Sequence, residues 1–292
     1  MPTNNIESSD VRCGDLTIHV SETGSGYPVI LLHGGGPGAN GLSNYARNID
    51  ALAQNFRVIV PDMKGYGGST KGIDRSDPFG DLAAAMTALM DALGIEKAHF
   101  VGNSYGGACA LRLALDTPDR VSALVLMGPG GVNTTRRLPT KGLKALFAYY
   151  GDNPPRRESL AQFIRDYLVF DVGDITEELI DQRYVASLDP EVIASPPLQR
   201  PMGLAAALKM DFTRDARLSG CQVPTLVLWG SEDKVNRPSG GETLRQAMPK
   251  CDLHLFARTG HWVQWERAGE FNAITAAFLA RHSTDRVQGA IQ

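Results

Sequence analysis

Gly102-Asn103-Ser104-Tyr105-Gly106 reads G-x-S-x-G. An apolar run, Ala98-His99-Phe100-Val101, precedes it, and a helix-forming segment, Gly107 to Leu115, follows. Strand, sharp turn and helix in that order lift the middle residue clear of the sheet and expose its hydroxyl. The two glycines suit a turn where neighbouring chain comes close, because a side chain at 102 or 106 would clash. A pattern this short also occurs in ordinary glycine-rich strand-to-helix turns, so its meaning depends on what the rest of the chain supplies.

The flanking chain repeats the same rhythm. Tyr27 to Leu32 is a continuous apolar run, as expected of a strand buried on both faces, and Phe56 to Val60, ending at Pro61-Asp62, is a second. Val121 to Met127, Thr225 to Trp229 and Leu253 to Phe256 also read as strands. Residues 6–13 and 15–23 predict a hairpin turning at Cys13-Gly14-Asp15. Asp81 to Leu93, with Gly94 as a stop signal, and Phe271 to Leu279 have helical periodicity. Short apolar strands alternating with helices predict an α/β fold, a mostly parallel sheet with helices on both faces. One interval, 132–220, lacks a buried strand. It carries helical patterns at Lys141–Tyr150, Ser159–Phe170, Thr176–Leu188 and Met202–Phe212, with breakers at Asn153-Pro154-Pro155 and Ser195-Pro196-Pro197. The reading is a core of 1–131 and 221–292 with a helical cap inserted over the carboxyl edge of the sheet, where open α/β sheets bind ligands. A second helical layer with no lid role is the alternative.

Bulk properties exclude several classes. The chain has 292 residues, 43% hydrophobic and 21% charged, with a net charge of −3. No basic surface argues for nucleic acid or an anionic membrane. The opening MPTNNIESSD lacks the basic start and apolar core of a signal peptide, and no apolar run approaches the roughly 20 residues of a membrane span. Cys13, Cys109, Cys221 and Cys251 show no C-x-x-C pairing and read as reduced thiols of a cytoplasmic protein, with no metal site or cofactor expected.

A serine hydroxyl is a weak nucleophile until a base takes its proton, and that base needs a third group to hold its tautomer. His254 lies inside a strand and His282 near the C-terminus, but His261 sits on the loop just after the strand 253–256. The orienting acid should also leave a strand end. Asp233, in Trp229-Gly230-Ser231-Glu232-Asp233, does so, with Glu232 as the neighbour able to replace it. The order Ser104, Asp233, His261 is the nucleophile–acid–histidine order of α/β-hydrolases. Asp62 ends a strand before the serine and is assigned a structural role. An oxyanion needs aimed donors: the Tyr105 N–H is one, and His33-Gly34-Gly35-Gly36 offers the other, at Gly35 or next to it at Gly34. Gly36-Pro37-Gly38-Ala39-Asn40-Gly41 is also a literal G-x-G-x-x-G followed by Asp62. A dinucleotide site there would leave Ser104, Asp233 and His261 unexplained, so that reading is set aside.

Taken together, these residues resemble the meta-cleavage product hydrolases, carbon–carbon hydrolases of the α/β-hydrolase fold. The resembling stretches are LLHGGGPGANGLSNYARNI (31–49), GNSYGG (102–107), LVLMGPGG (124–131), ITEELIDQR (175–183), LWGSEDKV (228–235) and GHWVQWERAGEFN (260–272). Between 132 and 170 the likeness is least. The resemblance implies cleavage of 2-hydroxy-6-oxohexa-2,4-dienoates from aromatic catabolism, by ketonisation of the dienol and serine attack at C6, giving 2-hydroxypenta-2,4-dienoate and a carboxylic acid. It places the triad on Ser104, Asp233 and His261 and the oxyanion amides on Gly35 and Tyr105. Substrate-binding positions fall on Gly34, Asn44, Asn103, Arg183 and Trp262. It also implies a homo-oligomer acting on a small anionic dienoate. Arg183 alone would read as a solvated helix arginine, Asn44 and Asn103 as caps or turn formers, and Trp262 as core. Two stretches depart from the pattern: Tyr105 stands where methionine or phenylalanine is common, and Pro61 to Gly67 resembles the small-substituent members. An esterase or proline-iminopeptidase-like hydrolase on the same triad, or a binding module without catalysis, are the competing readings.

Overall fold

A computed structural model describes residues 5–151 and 154–283. Met1 to Asn4 of the opening stretch and Asn153 of the first breaker lie outside the described residues. Eight strands form one sheet: β1 Glu7–Cys13, β2 Leu16–Thr23, β3 Tyr27–Leu32, β4 Phe56–Pro61, β5 Ala98–Asn103, β6 Val121–Met127, β7 Thr225–Gly230 and β8 Cys251–Phe256. Their order is β1-β2-β4-β3-β5-β6-β7-β8. β1 and β2 form an antiparallel hairpin, β2 meets β4 antiparallel, and every pairing from β4 to β8 is parallel. The expected fold class is what the structure shows.

Strand residues alternate between two apolar layers, as the two-residue period of a strand requires. Ile30, Leu32, Phe100, Leu124 and Leu126 face a cluster with the helices Pro78–Ala92 and Tyr105–Asp116. Val29, Leu31, Val101, Val125 and Met127 face the other, against the helix Ala268–Arg281. β5 and β7 are buried along their whole length, which is why they read as unbroken apolar runs.

Element ends depart from the sequence reading where local chemistry decides them. The helix expected from Asp81 begins at Pro78, because the Asp77 side chain caps it by accepting from Gly80 N and proline suits the first turn. β8 starts two residues earlier than its apolar run, since an edge strand needs pairing with Thr225 and Leu226 but no buried side chain. The segment read as helix to Phe170 stops sooner: Arg157–Phe163 is α-helical and Ile164–Leu168 is a π-turn, after which Val169 is extended. Met202–Phe212 shortens to Gly203–Lys209. Lys141–Tyr149 and Glu177–Ser187 match their patterns, the latter capped by Thr176. Helices between β6 and β7 build a third apolar cluster, and Val235 and Trp262 from outside that interval join it. Among the described residues no helix is long and apolar enough to cross a membrane.

Candidate active site

β5 ends at Asn103, and the helix Tyr105–Asp116 begins two residues later. Ser104 bridges them at φ 54°, ψ −109°, a left-handed φ that a residue with a side chain rarely adopts. Its main chain is fastened: Ser104 N donates to Met127 O at 2.8 Å, and Ser104 O accepts from Gly130 N at 2.9 Å. The two glycines permit the turn sterically. A Cβ at Gly106 would stand 2.3 Å from Leu32 O, and one at Gly102 would stand 2.5 Å from Gly106 O.

Asp233 leaves the end of β7 and is buried. Its Oδ1 accepts from Val235 N and Asn236 N, both at 2.8 Å. Its Oδ2 accepts from Trp229 Nε1 at 2.9 Å and from His261 Nδ1 at 2.7 Å. Glu232, the sequence alternative, is exposed, and its carboxylate accepts from Ser231 Oγ instead. Because a carboxylate can only accept, the His261 proton sits on Nδ1 and Nε2 is the free base position. That Nε2 is buried without a hydrogen-bond partner. His261 and Ser104 line the same cavity, yet no hydrogen bond joins Ser104 Oγ to the ring. Such bonds commonly tighten only when a reacting group enters.

The loop after β3 forms the cavity's opposite wall. A Cβ on Gly34 would be 3.6 Å from Ser104 Cβ, and one on Gly35 would be 3.1 Å from Tyr105 Cβ, so both glycines lie against the elbow. Tyr105 is the first residue of its helix, where N–H groups lack intrahelical partners and the helix dipole favours negative charge. Sequence reasoning missed what holds this loop. His33 Nδ1 donates to Gly34 O, and its Nε2 accepts from Met63 N at 2.9 Å. Burial lowers the His33 pKa, which keeps the ring neutral as this bonding requires. Tyr66 Oη donates to Gly35 O at 3.1 Å.

Arg183 comes from the helix Glu177–Ser187 and is buried. Its Nε and Nη2 donate to Pro37 O at 3.2 and 2.9 Å, and its guanidinium lies 5.6 Å from the Trp262 ring centre. Among the described residues no carboxylate pairs with it. Burial lowers its pKa to about 10, so it stays cationic at neutral pH. Asn44 Nδ2 and Trp262 Nε1 are buried without partners, and both residues line the cavity. Asn103 also lines it, but its amide is turned to the main chain, donating to Met127 O at 3.4 Å and His261 O at 3.5 Å. Leu146, Phe163 and Leu168 complete the lining from the insert. They carried no sequence signal, because nothing local says which face of an insert helix meets the sheet.

Asp62 is consumed structurally. Its Oδ1 accepts from Gly41 N and its Oδ2 from Gly68 N, both at 2.9 Å. A Cβ at Gly38 would be 1.8 Å from Arg183 O, so the glycine-rich loop packs against protein and leaves no cradle for a pyrophosphate. Among the described residues no group of three or more histidines, cysteines or carboxylates is placed to hold a metal ion.

Residues 27–268 match the family model described as alpha/beta hydrolase fold. The chain is 41% identical over 273 residues to a 2-hydroxy-6-oxo-6-phenylhexa-2,4-dienoate hydrolase of Burkholderia cepacia, covering 91% of this chain and 92% of that protein. It is 39% identical, with the same two coverages, to a 2-hydroxy-6-oxononadienedioate/2-hydroxy-6-oxononatrienedioate hydrolase of Comamonas testosteroni. Among solved structures, a meta-cleavage product hydrolase from Pseudomonas fluorescens IP01 superposes with a TM-score of 0.82 at 32% identity, over 94% of this chain and 97% of that one.

Proposed function

The chain belongs to the meta-cleavage product hydrolases of the α/β-hydrolase fold, and from that premise we propose how its site works. The enzyme hydrolyses the C5–C6 bond of a 2-hydroxy-6-oxohexa-2,4-dienoate, releasing 2-hydroxypenta-2,4-dienoate and a carboxylic acid. One observation carries the assignment of roles. A buried guanidinium without a carboxylate partner, Arg183, shares a cavity with two unpartnered donors, Asn44 Nδ2 and Trp262 Nε1, and with Ser104 and the Asp233–His261 pair. Unpaired buried polar groups are costly, and an anionic, oxygen-rich ligand is what would satisfy them.

Arg183 binds the substrate carboxylate, and Asn44 and Trp262 bind the oxygen on C2. Gly34 and Asn103 shape the wall beside C6. In the first step the proton on the 2-hydroxyl is lost and C5 gains one, so the dienol becomes a ketone. C5 can then leave as a carbanion conjugated with the C2 carbonyl. Ser104 Oγ next attacks C6 while His261 Nε2 takes its proton, and Asp233 holds the imidazolium. Negative charge on the C6 oxygen is met by the Gly35 and Tyr105 amides. The C5–C6 electrons move through C4 and C3 onto the C2 oxygen, and protonation yields the dienoate. Water then attacks the acylated serine, and the carboxylic acid leaves.

Within this reading residues 132–220 act as a cap over a core of 1–131 and 221–292. Its support is that Leu146, Phe163, Leu168 and Arg183 all reach the cavity from that interval. The enzyme is placed in the cytoplasm as a homo-oligomer. Four free cysteines, three of them buried, support the first, and family resemblance alone supports the second. A monomer mass by light scattering would remove the latter. The decisive assay mixes purified protein with a yellow ring-fission dienoate and follows loss of colour. Bleaching should outrun hydrolysis of a simple nitrophenyl ester; the reverse ranking would make the protein an esterase.

A further inference from the structure

The segment carrying His261 is stitched to the insert by a distinct set of main-chain bonds. The π-turn Ile164–Leu168 is closed by Val169 N donating to Ile164 O at 3.3 Å. Such turns redirect carbonyls and recur at functional sites. Here Leu168 O accepts from both His261 N, at 2.8 Å, and Trp262 N, at 3.1 Å. Contact is close: a Cβ on Gly260 would be 2.7 Å from Phe170 N. Glu266, the last residue of the short helix Val263–Glu266, reaches both sides of this seam. Its Oε1 accepts from Gly260 N at 2.8 Å, and its Oε2 accepts from Phe170 N at 2.8 Å and Asp171 N at 3.1 Å. Among the described residues no cation forms an ion pair with it. Burial pushes its pKa up, the three amide bonds pull it back, and Asp171 pushes it up further.

We propose that Glu266 is a positioning residue for the reaction, its carboxylate gathering the amide before His261 and two amides of the insert into one junction. It rests on the reading of His261 as the base. Placement of the imidazole and seating of the insert then share a side chain that never touches substrate, beside the Leu168 carbonyl that also joins them. Only a carboxylate suits the junction. It presents two acceptor oxygens to three N–H groups, whereas an amide would keep one oxygen and turn an NH2 donor toward an N–H. E266Q must therefore release either Gly260 or the Phe170–Asp171 pair. E266D keeps the charge but is one methylene shorter, so it holds the junction only in part.

Two measurements test this, one of them independent of the substrate assignment. Amide hydrogen exchange in E266Q should accelerate about tenfold or more at 259–262 or at 168–171, whichever side loses its acceptor oxygen, as loss of bonds worth ~1.4 kcal/mol requires. Acceleration on neither side overturns the junction. The rate at which a fluorophosphonate labels Ser104 should fall by about 10- to 100-fold in E266Q, with E266D in between. Affinity for 2-hydroxypenta-2,4-dienoate should stay within about threefold, because Arg183 is untouched. A merely structural role would lower Tm and leave the labelling rate of folded protein unchanged. Wild-type labelling in either variant overturns the proposal, and E266D carries the test alone should E266Q not fold. If wild-type protein is not labelled at all, the reading of Ser104 and His261 fails, while the exchange data still judge the junction.

Discussion

At the scale of the residue, each side chain of the Ser104–Asp233–His261 set follows the carboxyl end of a strand, and that placement was legible from pattern alone. The choice between Asp233 and Glu232 was not. Adjacent residues on an exit loop differ only in direction, and direction is settled by the four donors that surround Asp233. Arg183 shows the opposite limit. Nothing in its local pattern distinguishes a buried cation from a solvated one, and only the fold puts it under cover. Replacing it tests the anion-binding role. Arg183→Met should raise KM about 10- to 100-fold, the worth of a charge-assisted hydrogen bond, and change kcat less. Its Tm should not fall, because a buried cation lacking a carboxylate partner costs the ligand-free protein solvation. A Tm drop with unchanged KM would make Arg183 a scaffold residue. Ser104→Ala should lower turnover by at least about 10⁴-fold, while equilibrium dialysis finds product dienoate still bound.

At the scale of the element, caps and edges decided what periodicity left open. Asp77 illustrates the energetics. Burial raises its pKa, but hydrogen bonding and charge from Arg112, with the Gly80 N–H, outweigh that and hold it below 3.8. A carboxyl lowered on folding contributes stability above its unfolded pKa, and that contribution is lost as pH falls through the lower folded value. Asp77→Ala should therefore cost about 1–2 kcal/mol near pH 7 by denaturant unfolding. The gap should close below about pH 4. A gap that persists in acid would point to lost packing instead. The π-turn at Ile164–Leu168 was invisible beforehand, because one extra residue in a helical turn leaves the apolar pattern almost unchanged.

At the scale of the whole molecule, sheet and insert meet over a cavity in which Asn44 Nδ2, Trp262 Nε1 and His261 Nε2 have no partner. Ligand that occupies the folded state alone should stabilise it. Product dienoate at a hundredfold excess over Kd should add about 2.7 kcal/mol, roughly 5–10 °C in Tm for a chain of this size. Arg183→Met should lose that shift; if the variant keeps it, the dienoate binds elsewhere. The one-dimensional order of residues determined the α/β alternation, the strained serine turn and the placement of Ser104 and His261 after strand ends, because strand periodicity and turn sterics are local. Tertiary structure alone decided that Asp233 faces His261, that Arg183 is buried with no acid beside it among the described residues, and that Asn103 spends its amide on main chain. Those outcomes depend on which surfaces an insert helix and a loop present to each other across hundreds of residues, and burial and direction are not properties of any short stretch.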